Sequence, residues 1–153
     1  MDKAETSARE RRASLDALAR AAYSLSAADA RLRGRATRTP GALSLTHARA
    51  LRVLAEEGPL SVKKLAERTE TTGPAATQLV NGLERADYVT RQRPEGDRRS
   101  VVVTLTDAGR QRHNERERTL AEALNETLSD LDIHALGAAT ETLRGLALIY
   151  DTL

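Results

Sequence analysis

Apolar residues recur along this chain with two different periods, and the change of period separates helices from strands. Over residues 7–33 they follow spacings of three, four and seven, which predicts one long helix with a narrow apolar stripe. From about Asp132 to the end of the chain, spacings of seven, three and four predict a second such helix. Stripes this narrow are typical of helices that pack along another helix.

Three short helices are predicted between these two long ones. Ser44 is a suitable N-cap for the first of them, and Ser61 for the second, which ends near Thr69. Pro74 suits the first turn of the third, where its missing N–H is not needed. That helix ends near Asp87, a residue type that tolerates the left-handed conformation better than most.

The period then shortens to that of β-strands. Residues 88–93 and 100–105 are rich in β-branched side chains, and the turn-forming residues 94–97 separate them. We therefore predict a β-hairpin, followed by a long helix that begins behind Thr106 and runs to about Ser129. The predicted fold is mainly α, with six helices and one small hairpin.

Composition narrows the class of protein. At 153 residues the chain is long enough for one compact domain. It has no Cys, which excludes disulfides and thiolate metal sites, and three Tyr are its only aromatic residues, which argues against stacking of single-stranded bases. The first twelve residues contain no apolar run and no window reaches 18 apolar residues, so we expect a cytoplasmic protein.

The net charge of +2 is unevenly distributed. Residues 1–60 carry a net charge of +4, residues 61–113 carry +3 and residues 114–153 carry −5. A basic body with an acidic end suits a polyanionic partner that approaches from one side.

Residues 43–110 resemble the MarR (multiple antibiotic resistance regulator) family. The matching segments are LSLTHARALRVLAEEGPLSVKKLAERT, GPAATQLVNGLERADYV and RQRPEGDRRSVVVTLTDAGR, and the most family-specific words are DRR at 97–99 and LTDAG at 105–109. The match covers about 68 of the 153 residues in one register. Asp87 replaces a common Gly, which is tolerable if its backbone is left-handed, and Gln78 stands where Arg is common.

The resemblance implies a winged helix-turn-helix regulator of transcription. It places a DNA-binding region at residues 43–105 and a helical dimerisation region at residues 1–38 and 106–153. Such a bacterial homodimer would bind a pseudo-palindromic operator in double-stranded DNA, and relatives of this kind are usually repressors.

Three groups of residues are predicted to contact DNA. Hydroxyl and amino groups at helix starts would hold phosphates, and the first turns of the recognition helix would face bases, with Gln and Asn suited to adenine. By resemblance, Arg98 or Arg99 at the wing enters the minor groove, while Asp97 holds the loop. The predicted DNA contacts are Ser61, Lys63, Lys64, Thr71 and Thr72 for phosphates, Pro74, Ala75, Ala76, Thr77, Gln78 and Asn81 for bases, and Arg91, Arg93, Asp97, Arg98 and Arg99 in the wing.

The two apolar stripes supply the predicted dimer interface, although either stripe could instead pack within one subunit. The candidate interface residues are Leu15, Leu18, Leu25, Leu136, Leu143, Leu146 and Tyr150.

A small-molecule effector is predicted by resemblance, bound between the dimer helices and the DNA-binding region. Candidate lining residues are Tyr23, His47, Arg49 and Arg52. The scarcity of aromatic residues argues against a large aromatic pocket. A zinc site that uses His47 and His113 is an alternative, but the three His have no Cys and no partner four residues away, so we predict no metal and no cofactor.

Two other classes of function compete with a DNA-binding regulator. A winged-helix module that mediates protein contacts without DNA binding would fit the low cationic content of the recognition helix. An enzyme is disfavoured, because no nucleophile and base set and no phosphate-binding Gly loop is recognisable.

Overall fold

A computed structural model of the chain describes residues 3–36, 38, 42–96 and 100–153. Within these ranges the chain forms six helices and three short strands, which confirms the predicted class of fold. The helices are α1 Lys3–Ala36, α2 Leu45–Glu57, α3 Val62–Thr69, α4 Gly73–Arg85, α5 Asp107–Thr127 and α6 Ile133–Tyr150. The strands are β1 Leu60–Ser61, β2 Val89–Gln92 and β3 Val102–Leu105.

Five of the helices begin behind a side chain that caps them. Each cap accepts a hydrogen bond from the backbone N–H three residues later, and the capping residues are Ser44, Ser61, Thr72, Thr106 and Asp132. A cap of this kind satisfies one of the free N–H groups of the first turn, and its loss costs about 1 kcal/mol. These caps fix where the helices begin, and they confirm Ser44 and Ser61 as the predicted N-caps.

The strands form one antiparallel sheet in the order β1-β3-β2. Val89 pairs with Leu105 and Gln92 with Val102, which confirms the predicted hairpin. The short strand β1 pairs with the other edge of β3, and this third strand was not predicted. Two residues that follow Gly58 and Pro59 are too few to show a strand period.

The chain divides into two compact units, and the larger spans Leu32–Ala123. Its core is aliphatic, with Leu51, Leu65, Val80 and Leu83 fully buried, and α2, α3 and α4 contribute these side chains. Val89 of β2 and Val103 of β3 complete the same core. This unit therefore holds the helix-turn-helix and its sheet on one hydrophobic cluster, and it also includes the first part of α5.

The smaller unit contains α1 up to Arg31 and the chain from Leu124 onward. Its helix α6 is strongly apolar, yet none of its residues is buried. Exposed large apolar side chains in this unit include Leu15, Tyr23, Leu25, Leu136, Leu143, Leu148, Ile149 and Tyr150. The predicted division into regions 1–38 with 106–153 and 43–105 stays a prediction.

Candidate nucleic-acid interface

Helix α4 has one face in the core and one face in solvent. The buried residues are Ala76, Leu79, Val80 and Leu83. The exposed residues of its first two turns are Gly73, Pro74, Ala75, Thr77 and Gln78. The core therefore fixes the rotation of α4, and the outward face near its N-terminus presents small and polar side chains.

Ala76 was predicted to approach a base, and this prediction is wrong. The residue is fully buried, because it lies on the same side of α4 as Leu79, Val80 and Leu83. A side chain in the core cannot contact a groove. Its neighbours Ala75 and Thr77 are exposed and remain available to a partner.

Two threonines precede α4, and the structure gives them different roles. Thr72 is exposed, and its Oγ1 accepts a hydrogen bond from the backbone N–H of Ala75 at 3.3 Å. The Oγ1 of Thr71 lies 3.1 Å from the Oγ1 of buried Thr69. Thr72 therefore sits at the helix N-terminus with its hydroxyl in solvent, while Thr71 is tied to α3.

The start of α3 also presents polar groups to solvent. The Oγ of Ser61 accepts from the backbone N–H of Lys64 at 3.1 Å, and both residues are exposed. The Nζ of Lys64 forms an ion pair with Glu67 at 3.1 Å. Lys63 is exposed beside them.

Arg91 of β2 is directed at α4. It donates from Nη2 to the Oδ1 of Asn81 at 2.7 Å, and from Nη1 to the carboxylate of Glu84. Asn81 and Glu84 are three residues apart on α4, so one guanidinium spans one turn of the helix. Sequence analysis predicted Arg91 and Asn81 as separate DNA contacts and missed both their bond and Glu84.

The wing is described only in part. Arg93 follows β2 and is exposed, and Gly96 in the turn has a φ of 86°, which favours glycine. The predicted contacts Asp97, Arg98 and Arg99 lie outside the described residues. Their roles stay predictions.

A compact junction joins the end of α4 to the start of α5. Asp87 has a φ of 59°, so this position is left-handed as its replacement of Gly requires. Its carbonyl accepts from the Thr106 hydroxyl at 2.6 Å, and the Tyr88 carbonyl accepts from the Thr106 N–H at 3.1 Å. Gly109 packs against Tyr88 so closely that an added Cβ would overlap the carbonyl oxygen. The segment LTDAG at residues 105–109 therefore connects the wing to α5 through these contacts.

Three comparisons with known proteins bear on this chain. A family model described as MarR family matches residues 43–100. The uncharacterized HTH-type transcriptional regulator YcgE of Bacillus subtilis is 34% identical over 71 residues, which are 46% of this chain and 46% of YcgE. The chain thus spans about half the length of the curated relatives that it matches.

Two solved structures are similar over almost the whole chain. The transcriptional regulator BldR from Sulfolobus solfataricus is 29% identical with a TM-score of 0.62, over 100% of both chains. A MarR family protein from Bacillus stearothermophilus is 25% identical with a TM-score of 0.62, over 94% of this chain and 97% of that one.

Residues 43–100 thus match the MarR family, and the relatives and solved structures support a MarR-family winged-helix regulator. This confirms the resemblance that its central segment showed. MarR-family proteins are transcription regulators, not enzymes, so the family assigns this chain no catalytic role.

His47 belongs to α2, and its ring is directed at Gly82 of α4. Its Nδ1 lies 2.6 Å from the Oγ of Ser44, and its Nε2 would lie 3.0 Å from a Cβ built on Gly82. Burial lowers the pKa of His47 below its ordinary value of about 6.5, because the charged form loses hydration. The ring is therefore part of the contact between α2 and α4.

The other residues predicted to line an effector site have partners or lie elsewhere. Arg49 donates to the carbonyl of Thr69 at 3.2 Å and pairs with Glu70 at 2.7 Å. Arg52 pairs with Glu117 of α5. Tyr23 belongs to the smaller unit and is exposed. The effector assignment of these residues stays a prediction.

The described residues contain neither a membrane-spanning helix nor a cluster of metal-binding side chains. No helix there is long and apolar enough to cross a membrane. No three or more His, Asp or Glu side chains in the described ranges come together as a metal site would require.

Proposed function

We propose that this protein is a homodimeric, sequence-specific DNA-binding regulator of transcription, in which α4 enters the major groove. The observation that carries the proposal is the outward face of α4, where Thr77 and Gln78 are exposed beside the capped N-terminus of the helix. A major groove admits one helix, and the N-terminal residues of a recognition helix meet the base edges. The relatives named as transcriptional regulators support the same conclusion.

Phosphate contacts would come from the helix starts beside that face. The N-termini of α3 and α4 carry partial positive charge, and Ser61 and Thr72 add hydroxyls there. Lys63 is an exposed cation next to Ser61. Such contacts would set the position of the protein on the duplex, while α4 reads its sequence.

Dimerisation would use the apolar faces of the smaller unit. Helix α6 exposes Leu136, Leu143 and Tyr150, which recur every seven residues along one side of the helix, and contiguous exposed apolar surface of this kind marks interfaces. A twofold dimer would place two copies of α4 on successive major grooves. We expect Leu143→Glu to convert the dimer into monomers in analytical ultracentrifugation, whereas the surface variant Glu141→Gln should leave the dimer intact. A Leu143→Glu variant that stays dimeric would exclude this face.

Repression and its release by a small molecule extend the proposal. An effector that favours one dimer shape would change the spacing of the two copies of α4 and thereby shift the population away from the DNA-competent form. The ion pairs of Arg49 with Glu70 and of Arg52 with Glu117 offer cationic groups that an anionic effector could recruit by displacing a carboxylate.

A protein-interaction module without DNA binding is the second candidate. The observation in its favour is that Arg91, which contacts Asn81 of α4, is already paired with Glu84. A partner protein would not need free cations at that position. The two proposals differ in their response to salt, because phosphate contacts release counterions.

The deciding experiment is a binding titration with the intergenic DNA upstream of the protein's own gene, a scrambled duplex as competitor and salt as the variable. We expect specific retardation with two subunits per site and a slope of log affinity against log salt near −0.9 for each phosphate neutralised. Gln78→Ala should relax base preference by about 1–3 kcal/mol. Arg144→Ala, which removes a cation from α6, is the control that should bind as the unmodified protein does. Binding equal to the scrambled duplex, together with no effect of salt, would favour the interaction module.

A further inference from the structure

The bridge between Arg91 and α4 fixes the chemistry of one base-facing side chain. Asn81 is half-buried on α4, one turn after Gln78, and its Oδ1 accepts from the Arg91 guanidinium at 2.7 Å. The same guanidinium is held from its other side by Glu84. Arg91 is thus anchored at two points, and less than a third of its side chain is exposed.

An anchored guanidinium settles which way the amide of Asn81 points. Arginine has N–H donors and no acceptor, so only the amide oxygen can face it. The amide nitrogen must then point elsewhere, with two N–H donors. A free asparagine can turn its amide over at little cost, but this one would lose a charge-assisted hydrogen bond by doing so.

Fixing the amide changes the base that Asn81 can recognise. A bidentate contact to adenine needs one donor and one free acceptor, since adenine presents N7 as an acceptor and N6 as a donor. The oxygen of Asn81 already accepts from Arg91, so one of its two lone pairs is used and the guanidinium hinders the approach of an adenine N6 donor. Guanine presents two acceptors, O6 and N7, which suit a group that offers donors. Cytosine presents only a donor and is disfavoured.

We propose that Arg91 is a specificity-determining positioning residue, which holds Asn81 as a hydrogen-bond donor and thereby selects guanine over adenine at the base that Asn81 reads. This rests on the proposed function, in which α4 lies in the major groove. It revises the expectation from sequence alone that Asn81 suits adenine. Because Arg91 acts through Asn81, its loss alters preference at one base position rather than at all of them.

The test is selection of bound duplexes from a randomised pool, followed by sequencing, with the full-length chain. The unmodified protein should enrich one motif, and Asn81→Ala should flatten one position of each half-site, which identifies the base that Asn81 reads. That position should be guanine in the unmodified motif. In Arg91→Gln its ratio of guanine to adenine should fall about tenfold, since one bidentate contact provides discrimination of that order.

Two further variants separate positioning from charge. Arg91→Lys keeps the charge but lacks the fork that reaches both Asn81 and Glu84, so affinity should be retained while the preference for guanine is relaxed. Arg93 is exposed and lies two residues after Arg91, so Arg93→Gln removes a positive charge without disturbing Asn81. Affinity for DNA should fall, while the preference for guanine over adenine should stay unchanged. Far-ultraviolet circular dichroism and the thermal midpoint of each variant establish that it is folded.

The outcomes distinguish the inference from the proposed function. No enriched motif with the unmodified protein would overturn both. An enriched motif in which the Asn81 position is adenine, or in which Arg91→Gln leaves the ratio of guanine to adenine unchanged, would overturn the role of Arg91 and leave DNA recognition by α4 intact.

Discussion

Replacement of Gly109 by alanine tests the junction that joins the wing to α5. Gly109 lies in the first turn of α5, against the backbone of Tyr88. An added Cβ would overlap the Tyr88 carbonyl oxygen, lying 2.8 Å from the carbonyl carbon and 3.0 Å from Cδ2 of Leu105. Because the obstacle is backbone, it cannot rotate aside as a long side chain would, and α5 or β2 must move.

The expected change in the free energy of unfolding is the sum of three contributions. In a helix alanine is favoured over glycine by about 1 kcal/mol, which would stabilise the variant. Overpacking in a tight contact costs about 1–3 kcal/mol. The forced displacement also strains the 3.1 Å hydrogen bond from the Thr106 N–H to the Tyr88 carbonyl, which contributes about 1 kcal/mol. We expect Gly109→Ala to lower the free energy of unfolding by about 2 kcal/mol.

The assay is thermal and urea unfolding at matched protein concentration, in which about 2 kcal/mol corresponds to a fall of about 4–8 °C in the midpoint. Ala108→Gly is the matched control, because Ala108 is exposed in the same turn and reports helix propensity alone. It should cost about 0.5–1 kcal/mol. Gly109→Ala at or above the stability of the unmodified protein would refute the argument, since propensity would then outweigh the contact.

Three further predictions concern His47, the cap of α4 and the wing. Because burial lowers the pKa of His47 in the folded protein, the unfolded chain binds the proton more tightly. The contribution of neutral His47 to stability is therefore complete above about pH 6.5 and is lost as the pH falls through the folded pKa. His47→Gln should flatten this part of a plot of stability against pH. Thr72→Ala removes the cap of α4 and should cost about 1 kcal/mol in unfolding, with equal stability arguing against the cap. In the wing, Arg98→Ala or Arg99→Ala should weaken operator binding with the fold unchanged, and unaltered affinity for both would exclude the predicted wing contact.

Local signals in the sequence were sufficient to place the helices. Ser44 and Ser61 cap the helices that they were predicted to cap, and Pro74 lies in the first turn of α4. Capping and the fixed φ of proline depend only on residues within about four positions, so they can be predicted from the sequence alone. The left-handed backbone at Asp87 is likewise a local requirement of the turn.

Features that depend on residues distant in the sequence could not be predicted from a local pattern of residues. The two residues of β1 form a strand only because β3 offers them a free edge. Ala76 is small enough for either side of a helix, and the packing of α4 alone decides that it faces the core. The pairing of Arg91 with Glu84 and Asn81 depends on where β2 lies against α4, which spacing along the chain does not specify.

The ion pairs also change how the basic charge of the chain should be counted. Lys64, Arg68 and Arg49 each pair with one glutamate, and in each pair the side chains are about one third to three quarters exposed. Exposed pairs contribute at most about 1 kcal/mol, so a phosphate can replace the carboxylate at little cost. Where such an exchange takes place, the cation counts toward the salt dependence of binding although it is paired in the free protein.

Arg91 differs from these cations because two groups of α4 hold it and more of its side chain is buried. Recruiting it to a phosphate would leave Glu84 uncompensated beside a polyanion and release the amide of Asn81. Its replacement should therefore alter base preference more than the salt slope, whereas replacement of Lys64 should reduce the slope by about one phosphate equivalent if Lys64 contacts the backbone. Comparison of the salt slopes of the Arg91 and Lys64 variants therefore distinguishes a cation that positions side chains of α4 from one that neutralises a phosphate.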